Sequence, residues 1–291
     1  MALAIFVLCL YLLLLLWASY ISVRPPRTPI YLSPDVFLVP YRDVRLRTLD
    51  GVELFGWFVG SESAKSVAVM GHGYVMNRAE MTGLAADLAR MGISSLVFDM
   101  RRHGKSGGSR CGAGWLERKD VSAAVEEARR RAPGARVFLL GSSMGAAASA
   151  FALAEDPGLA DALVLDSSYS RLAEGLQGWW RFIGGLPLAV ILAPVGLVGW
   201  ALWGINPWRT DVARALSGLK EKPVLILHGR DDGLTPPSEA ERNARAHGGA
   251  EIVWFEGCRH TEGRWLARER YLEALTGFLA KHGFVDEGAC P

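Results

Sequence analysis

The chain has 291 residues, half of them hydrophobic, enough for one large α/β domain with a real core and insertions. Its 32 basic and 30 acidic residues leave a formal charge of +2, which argues against a nucleic-acid binder held by electrostatics. Its four cysteines, at 9, 111, 258 and 290, show no zinc spacing, and with Cys9 in the N-terminal apolar run and Cys290 next to the C-terminus no disulfide framework is expected. No GxGxxG follows a strand and Gly104-Lys105-Ser106 lacks the upstream glycine of a P-loop, so no cofactor is expected.

In chain order, Ala2 to Val23 carries no charge and centres on five consecutive leucines, Leu12 to Leu16. At 1.5 Å per residue such a helix crosses a hydrocarbon core of roughly 30 Å. Trp17 and Tyr20 lie near one end, where interfacial anchors sit. A cleaved signal peptide is the rival reading. The missing positive n-region, the missing A-x-A site and the length of the apolar run favour an uncleaved single-pass anchor over residues 1–23. Arg24, Arg27, Arg42, Arg45 and Arg47 follow the span and lean the orientation toward a cytoplasmic domain. Residues 24–42 read as a Pro-rich, extended connector.

The domain proper is expected over residues 43–291. Asp43 to Arg47 and Val52 to Val59 alternate around Asp50-Gly51, which predicts a β-hairpin. Strands at Val67 to Met70 and Ile93 to Phe98 then alternate with helices near Ala79 to Met91 and Glu117 to Arg131. This is the rhythm of a doubly wound, mostly parallel sheet. The apolar run Arg136 to Leu140 turns through Gly141-Ser142-Ser143-Met144-Gly145 into an alanine-rich helix. A serine on a strand-to-helix turn is pushed into an exposed, strained conformation at a helix N-terminus, where developing negative charge is favoured. Ser143 is therefore the expected nucleophile.

A strand at Ala162 to Leu165 is followed by 27 uncharged residues, Phe182 to Trp208. Hydropathy alone would make this a second span, but a span here would divide the domain across the bilayer. Pro187, Pro194 and five glycines also interrupt any continuous helix. The segment, about residues 170–212, is expected to be a hydrophobic lid of broken helices, either buried on the sheet or set against lipid. A strand over Lys222 to His228 opens onto Asp231 and Asp232, and one over Glu251 to Phe255 opens onto His260. An acyl-transfer serine needs an imidazole to carry its proton and a carboxylate to orient the imidazole. Among the other histidines, His103 and His228 read as structural and His247 and His282 as solvated. A single amphipathic helix, Trp265 to Lys281, closes the pattern.

From about Val44 to Phe284 the chain resembles the α/β-hydrolase superfamily, esterase and lipase types included. The resemblance rests on the elbow at Ser143, the order Ser…Asp…His, the strand leading to Gly71-His72-Gly73-Tyr74, and the loop Asp99 to Gly107, with Arg102 where a glycine is common. It implies an α/β-hydrolase fold with a cap insertion, and oxyanion donors at the amides of Tyr74 and Met144. The family's acid motif falls on His228, Gly229, Asp232 and Pro236, favouring Asp232 over its neighbour Asp231; Asp166 is the position a minority of relatives use. The implied function is hydrolysis of carboxylic esters or thioesters, with acyl-chain or lipid-like substrates favoured by the apolar lid. A serine peptidase and a non-catalytic binding member of the fold are the alternatives.

Overall fold

The computed structural model describes residues 1–285; Cys290 lies outside the described residues. An eight-stranded sheet is built from β1 (Tyr41–Arg47), β2 (Glu53–Val59), β3 (Ser66–Gly71), β4 (Ser94–Phe98), β5 (Arg136–Ser142), β6 (Ala162–Asp166), β7 (Val224–Gly229) and β8 (Glu251–Phe255). Their order is β1-β2-β4-β3-β5-β6-β7-β8. The strands from β3 onward run parallel, while β2 is antiparallel to both β1 and β4. The hairpin pairs Arg47 with Glu53 across the turn, where Gly51 takes a φ of 83° open to glycine at little cost.

Each central strand is apolar on both faces because helices cover both. Val67, Val69, Val137, Leu139, Leu163 and Leu165 point to one side, packing with α3 (Arg118–Arg131), α4 (Met144–Glu155) and α7 (Val212–Ser217). Ala68, Met70, Phe138, Leu140, Ala162 and Val164 point to the other, against α2 (Ala79–Arg90) and α10 (Arg268–Lys281). Residues 144–153 of α4 are buried throughout and half of them are alanine, which lets its backbone lie close to the sheet. The α8 helix (Pro237–His247) completes the first layer.

Three local features depart from the sequence-based expectations. The extended connector contains a 3₁₀ turn at Pro34–Phe37. The last helix is two, α9 (Gly263–Leu266) and α10, separated by Ala267 at φ −122° and ψ 42°. His247 is buried rather than solvated, its Nε2 within reach of the Leu219 and Lys222 carbonyls that precede β7.

The N-terminal helix α1 (Ala2–Ser22) is long and apolar enough to cross a membrane. The chain between β6 and β7 forms α5 (Leu172–Ile191) and α6 (Val195–Trp203), bent by 86° at the break between them. Within α5, Gly184 and Gly185 leave helical geometry, so the long uncharged segment is a chain of broken helices and not one straight span. Its two ends are tied together, with Arg171 and Asp211 forming a β-bridge and an Nε–Oδ2 ion pair at 3.2 Å.

Candidate active site

Ser143 follows directly on β5, with φ 50° and ψ −109°. A positive φ at a non-glycine residue costs on the order of 1–3 kcal/mol and persists only where the surroundings fix it. Here the flanking glycines do so. A Cβ on Gly145 would lie 2.3 Å from the Gly71 carbonyl oxygen, and one on Gly141 would lie 2.3 Å from the backbone of Gly145. The Ser143 amide donates to the Asp166 carbonyl at 2.7 Å, extending the β5–β6 ladder up to the turn.

The loops after β7 and β8 bring two more side chains to this serine. His260 Nε2 is 2.9 Å from Ser143 Oγ, and His260 Nδ1 is 2.7 Å from Asp232 Oδ2. Asp232 is buried and fixed on both oxygens: Oδ1 accepts the Leu234 and Thr235 amides, and Oδ2 accepts the Thr235 hydroxyl at 2.7 Å. Burial pushes its carboxyl up, but the hydrogen bonds and charge of His260 and the Thr235 hydroxyl outweigh that and hold it below the ordinary range. The carboxylate therefore stays ionised beside the imidazole. Asp231 is exposed. Asp166 turns away from His260, accepting from the hydroxyls of Ser167 and Tyr271, with Arg264 Nε at 3.5 Å. Of the three aspartates, Asp232 is the one in hydrogen-bond range of the imidazole.

Above β3, His72 Nε2 accepts the Met100 amide, so the ring proton sits on Nδ1 and is donated to the Gly73 carbonyl at 2.7 Å. The Gly73 amide in turn donates to Glu80 Oε2 at 2.6 Å. These bonds fix the backbone that presents Tyr74. Met144 opens α4, so its amide is among those no helical carbonyl reaches. Both residues line the same cavity as Ser143 and His260. The Tyr74 side chain is held by α1 and α5. Its hydroxyl donates to the Ser22 carbonyl at the end of α1, and its ring meets Trp179 edge-on at 5.2 Å.

The cavity holds about 370 Å³ and is walled by Leu172, Leu176, Trp179 and Phe182 of α5, with Ser22 closing one side. Glu80 is its one carboxylate, and no lysine or arginine lines it among the described residues. Such a site has room for an apolar group and fixed donors beside a nucleophile, which is what acyl transfer requires.

The esterase Pf2001 of Pyrococcus furiosus superposes with a TM-score of 0.76 at 25% identity, covering 90% of this chain and 98% of that one. The chain belongs to the α/β-hydrolase superfamily. A family model described as serine aminopeptidase, S33, matches residues 62–194, which include the loop at Tyr74 and the elbow at Ser143 but end before Asp232 and His260. Human monoglyceride lipase is 35% identical over 137 residues, 44% of each chain. Protein YqkD of Bacillus subtilis is 27% identical over 232 residues, 79% of this chain and 76% of its own.

Directly beneath Ser143 the domain carries a charged cluster that the sequence does not announce. Arg264 of α9 is buried and donates to Glu80 Oε1 at 2.9 Å and to Ser142 Oγ at 2.6 Å, while the Ser142 hydroxyl donates to Glu80 Oε1. Burial alone would raise the Glu80 carboxyl, but the Arg264 charge, the Gly73 amide, His72 and the Ser142 hydroxyl hold it below the ordinary range. Three loops thus meet at one ion pair: the Tyr74 loop through Gly73, the elbow through Ser142, and the His260 loop through Arg264. Glu80 and Arg264 each sit in the first turn of a helix, where a lone charged residue is ordinarily assigned to solvent. Thr235 was equally hidden, as an ordinary threonine before a proline.

Proposed function

We propose that this protein is a membrane-tethered serine hydrolase that cleaves carboxylic esters of uncharged acyl-chain substrates. The observation that carries the reading is the continuous relay Ser143–His260–Asp232 at the foot of an apolar cavity. Ser143 Oγ attacks the acyl carbonyl while His260 Nε2 takes its proton. Asp232 holds the imidazole in the Nδ1–H tautomer and stabilises the imidazolium. The amides of Tyr74 and Met144 receive the oxyanion, each contributing about 3 kcal/mol to lowering the barrier. Collapse expels the alcohol, which takes the proton from His260. Water then attacks the acyl-enzyme by the same route and releases the acid.

The esterase activity named for Pf2001 and the lipase activity named for the human relative support ester chemistry. Among the described residues no lysine or arginine lines the cavity to receive a phosphate beside the ester, which supports a neutral substrate. The family model's description raises the peptidase reading. An aminopeptidase must seat a free ammonium group, and the one carboxylate here, Glu80, is already engaged by Arg264, Gly73 and Ser142. Helix α1 supports tethering, and the arginines after it support a cytoplasmic domain.

A panel of p-nitrophenyl esters of increasing chain length, run beside aminoacyl p-nitroanilides, tests the reading. Ester turnover that rises with chain length is expected, with no release from the anilides; the reverse selectivity would make it a peptidase. In the same assay Asp232→Asn is expected to lower kcat about 10⁴-fold, because the Leu234 and Thr235 amides hold the Asn oxygen at the Oδ1 position and leave its NH2 donating to Nδ1, which selects the wrong tautomer. Asp231→Asn is expected to stay within about twofold, as an exposed substitution does. Equal losses at both positions would reassign the acid.

A further inference from the structure

Helix α1 does more than lead up to the domain. Its Leu15 and Ala18 are buried in a cluster with Trp180 and Ala189 of α5, Leu192, and Val195 of α6. The Tyr11 hydroxyl donates to the Ile191 carbonyl at 2.9 Å, and Trp203 Nε1 donates to Ser19 Oγ at 3.0 Å. At the end of α1, Arg24 stacks over Tyr20 and Trp203, at 4.2 and 5.2 Å. The cap therefore rises along α5 to the level of Tyr11 and returns along α6 to the level of Ser19 and Tyr20. From Tyr11 to Ser22, α1 rises about 16 Å at 1.5 Å per residue, half of a hydrocarbon core of roughly 30 Å.

If α1 crosses a bilayer, whatever packs along this half of it shares its depth. The cap's chemistry agrees. Phe182, Leu186 and Val190 are 67%, 62% and 65% exposed, with Leu197, Trp200 and Leu202 also open on α6. No charge occurs between Arg181 and Arg209. An apolar surface of this kind is seldom left in water. It cannot belong to a second crossing, because the Arg171–Asp211 bridge returns both ends of the segment to one place on the domain. The bilayer is the occupant that fits, since this surface is continuous with the lipid-facing side of α1.

Accepting the ester-hydrolase reading above, we propose that α5 and α6 form a re-entrant hairpin seated in the leaflet next to the domain, and that the substrate is a neutral acyl lipid entering sideways from that leaflet. The cavity supports the route. Phe182 and Trp179 at the base of the uncharged segment and Ser22 at the end of α1 line it together. Those residues stand at the boundary between hydrocarbon and headgroups, where the ester bonds of a glycerolipid lie. An acyl chain then slides from lipid into an apolar cavity without crossing water, and its ester arrives at the depth of Ser143.

The test uses the full chain in phosphatidylcholine–phosphatidylglycerol vesicles. Nitroxides are attached at Val190→Cys and Leu197→Cys, with Leu12→Cys as lipid control and Leu49→Cys, on the exposed β1–β2 turn, as water control; Cys9 and Cys290 are replaced by Ala. Both cap labels are expected to collide with oxygen freely and with a water-soluble nickel chelate about as rarely as position 12. Nickel contact equal to that at position 49 overturns the seating. Separately, Val190→Asp/Leu197→Asp is expected to lower hydrolysis of a long-chain monoacylglycerol in vesicles at least about tenfold and leave p-nitrophenyl butyrate within about twofold. Equal loss on both substrates, or no loss on either, overturns entry from the leaflet. Failure of the unaltered chain to hydrolyse either ester would instead defeat the hydrolase reading, while the nitroxides still report the seating.

Discussion

Ser143→Ala is expected to lower kcat on a p-nitrophenyl ester by about 10⁴ to 10⁶-fold, because it removes the Oγ that meets His260 Nε2 at the wall of the cavity. The fold should survive. Alanine meets the same φ of 50° as serine, and the lost hydrogen bond to a partly exposed histidine is worth about 1 kcal/mol. Ser142→Ala is the informative neighbour. It removes a buried hydroxyl that links Glu80 and Arg264, so its effect should fall on stability, about 1–3 kcal/mol, with fluorophosphonate labelling retained. Retention of more than about one per cent of turnover in Ser143→Ala, well above what is left on removing a nucleophile, would exclude it from that role.

Arg264→Met is expected to cause the largest loss of stability among the substitutions considered, about 3–5 kcal/mol. It strands the buried Glu80 carboxylate and removes the guanidinium beside Asp166. For a chain of this size that corresponds to a fall in Tm of roughly 10 °C. The pH dependence carries a sign that separates lost charge from lost packing. With Arg264 present, the folded-state pKa of Glu80 lies below its unfolded value, so its contribution is present above about pH 4 and fades as the pH falls further. Without Arg264, burial dominates and raises the Glu80 pKa, so the folded state takes up protons and the variant should gain Tm as pH is lowered from 7.5 to 5. Arg264→Lys should recover part of the loss. A variant whose Tm is flat or falls over that range would show that the cluster matters through packing alone.

The sheet was legible because its strands are short apolar runs set between helices and glycine-marked turns. Buried strands covered on both faces need no alternation, and β3, β5 and β6 show none. Ser143, Asp232 and His260 are legible as candidates for a related reason: each lies in a loop that follows one of those runs, and the resemblance to the family's acid motif favours Asp232 over Asp231; the structure places His260 within 3 Å of both other side chains. What stayed hidden depends on long-range packing. Glu80 and Arg264 lie 184 residues apart, and nothing local marks either as buried. His247 looked solvated because its helix is charged, yet its ring fills a gap beneath the turn before β7. The last helix reads as continuous because Ala267 is a good helix former; its non-helical geometry separates the turn that aims Arg264 inward from α10. The docking of α1 on the cap is equally silent, since a mostly apolar stripe such as Tyr11, Leu15 and Ala18 looks the same whether a lipid or a helix lies against it.

The most direct measurement is mass-spectrometric mapping of the fluorophosphonate adduct on the full chain. The account predicts one adduct per chain, on Ser143, formed at a rate that collapses in His260→Gln. An adduct on Ser142 or any other serine, or ester turnover by a protein that forms no adduct, would contradict it.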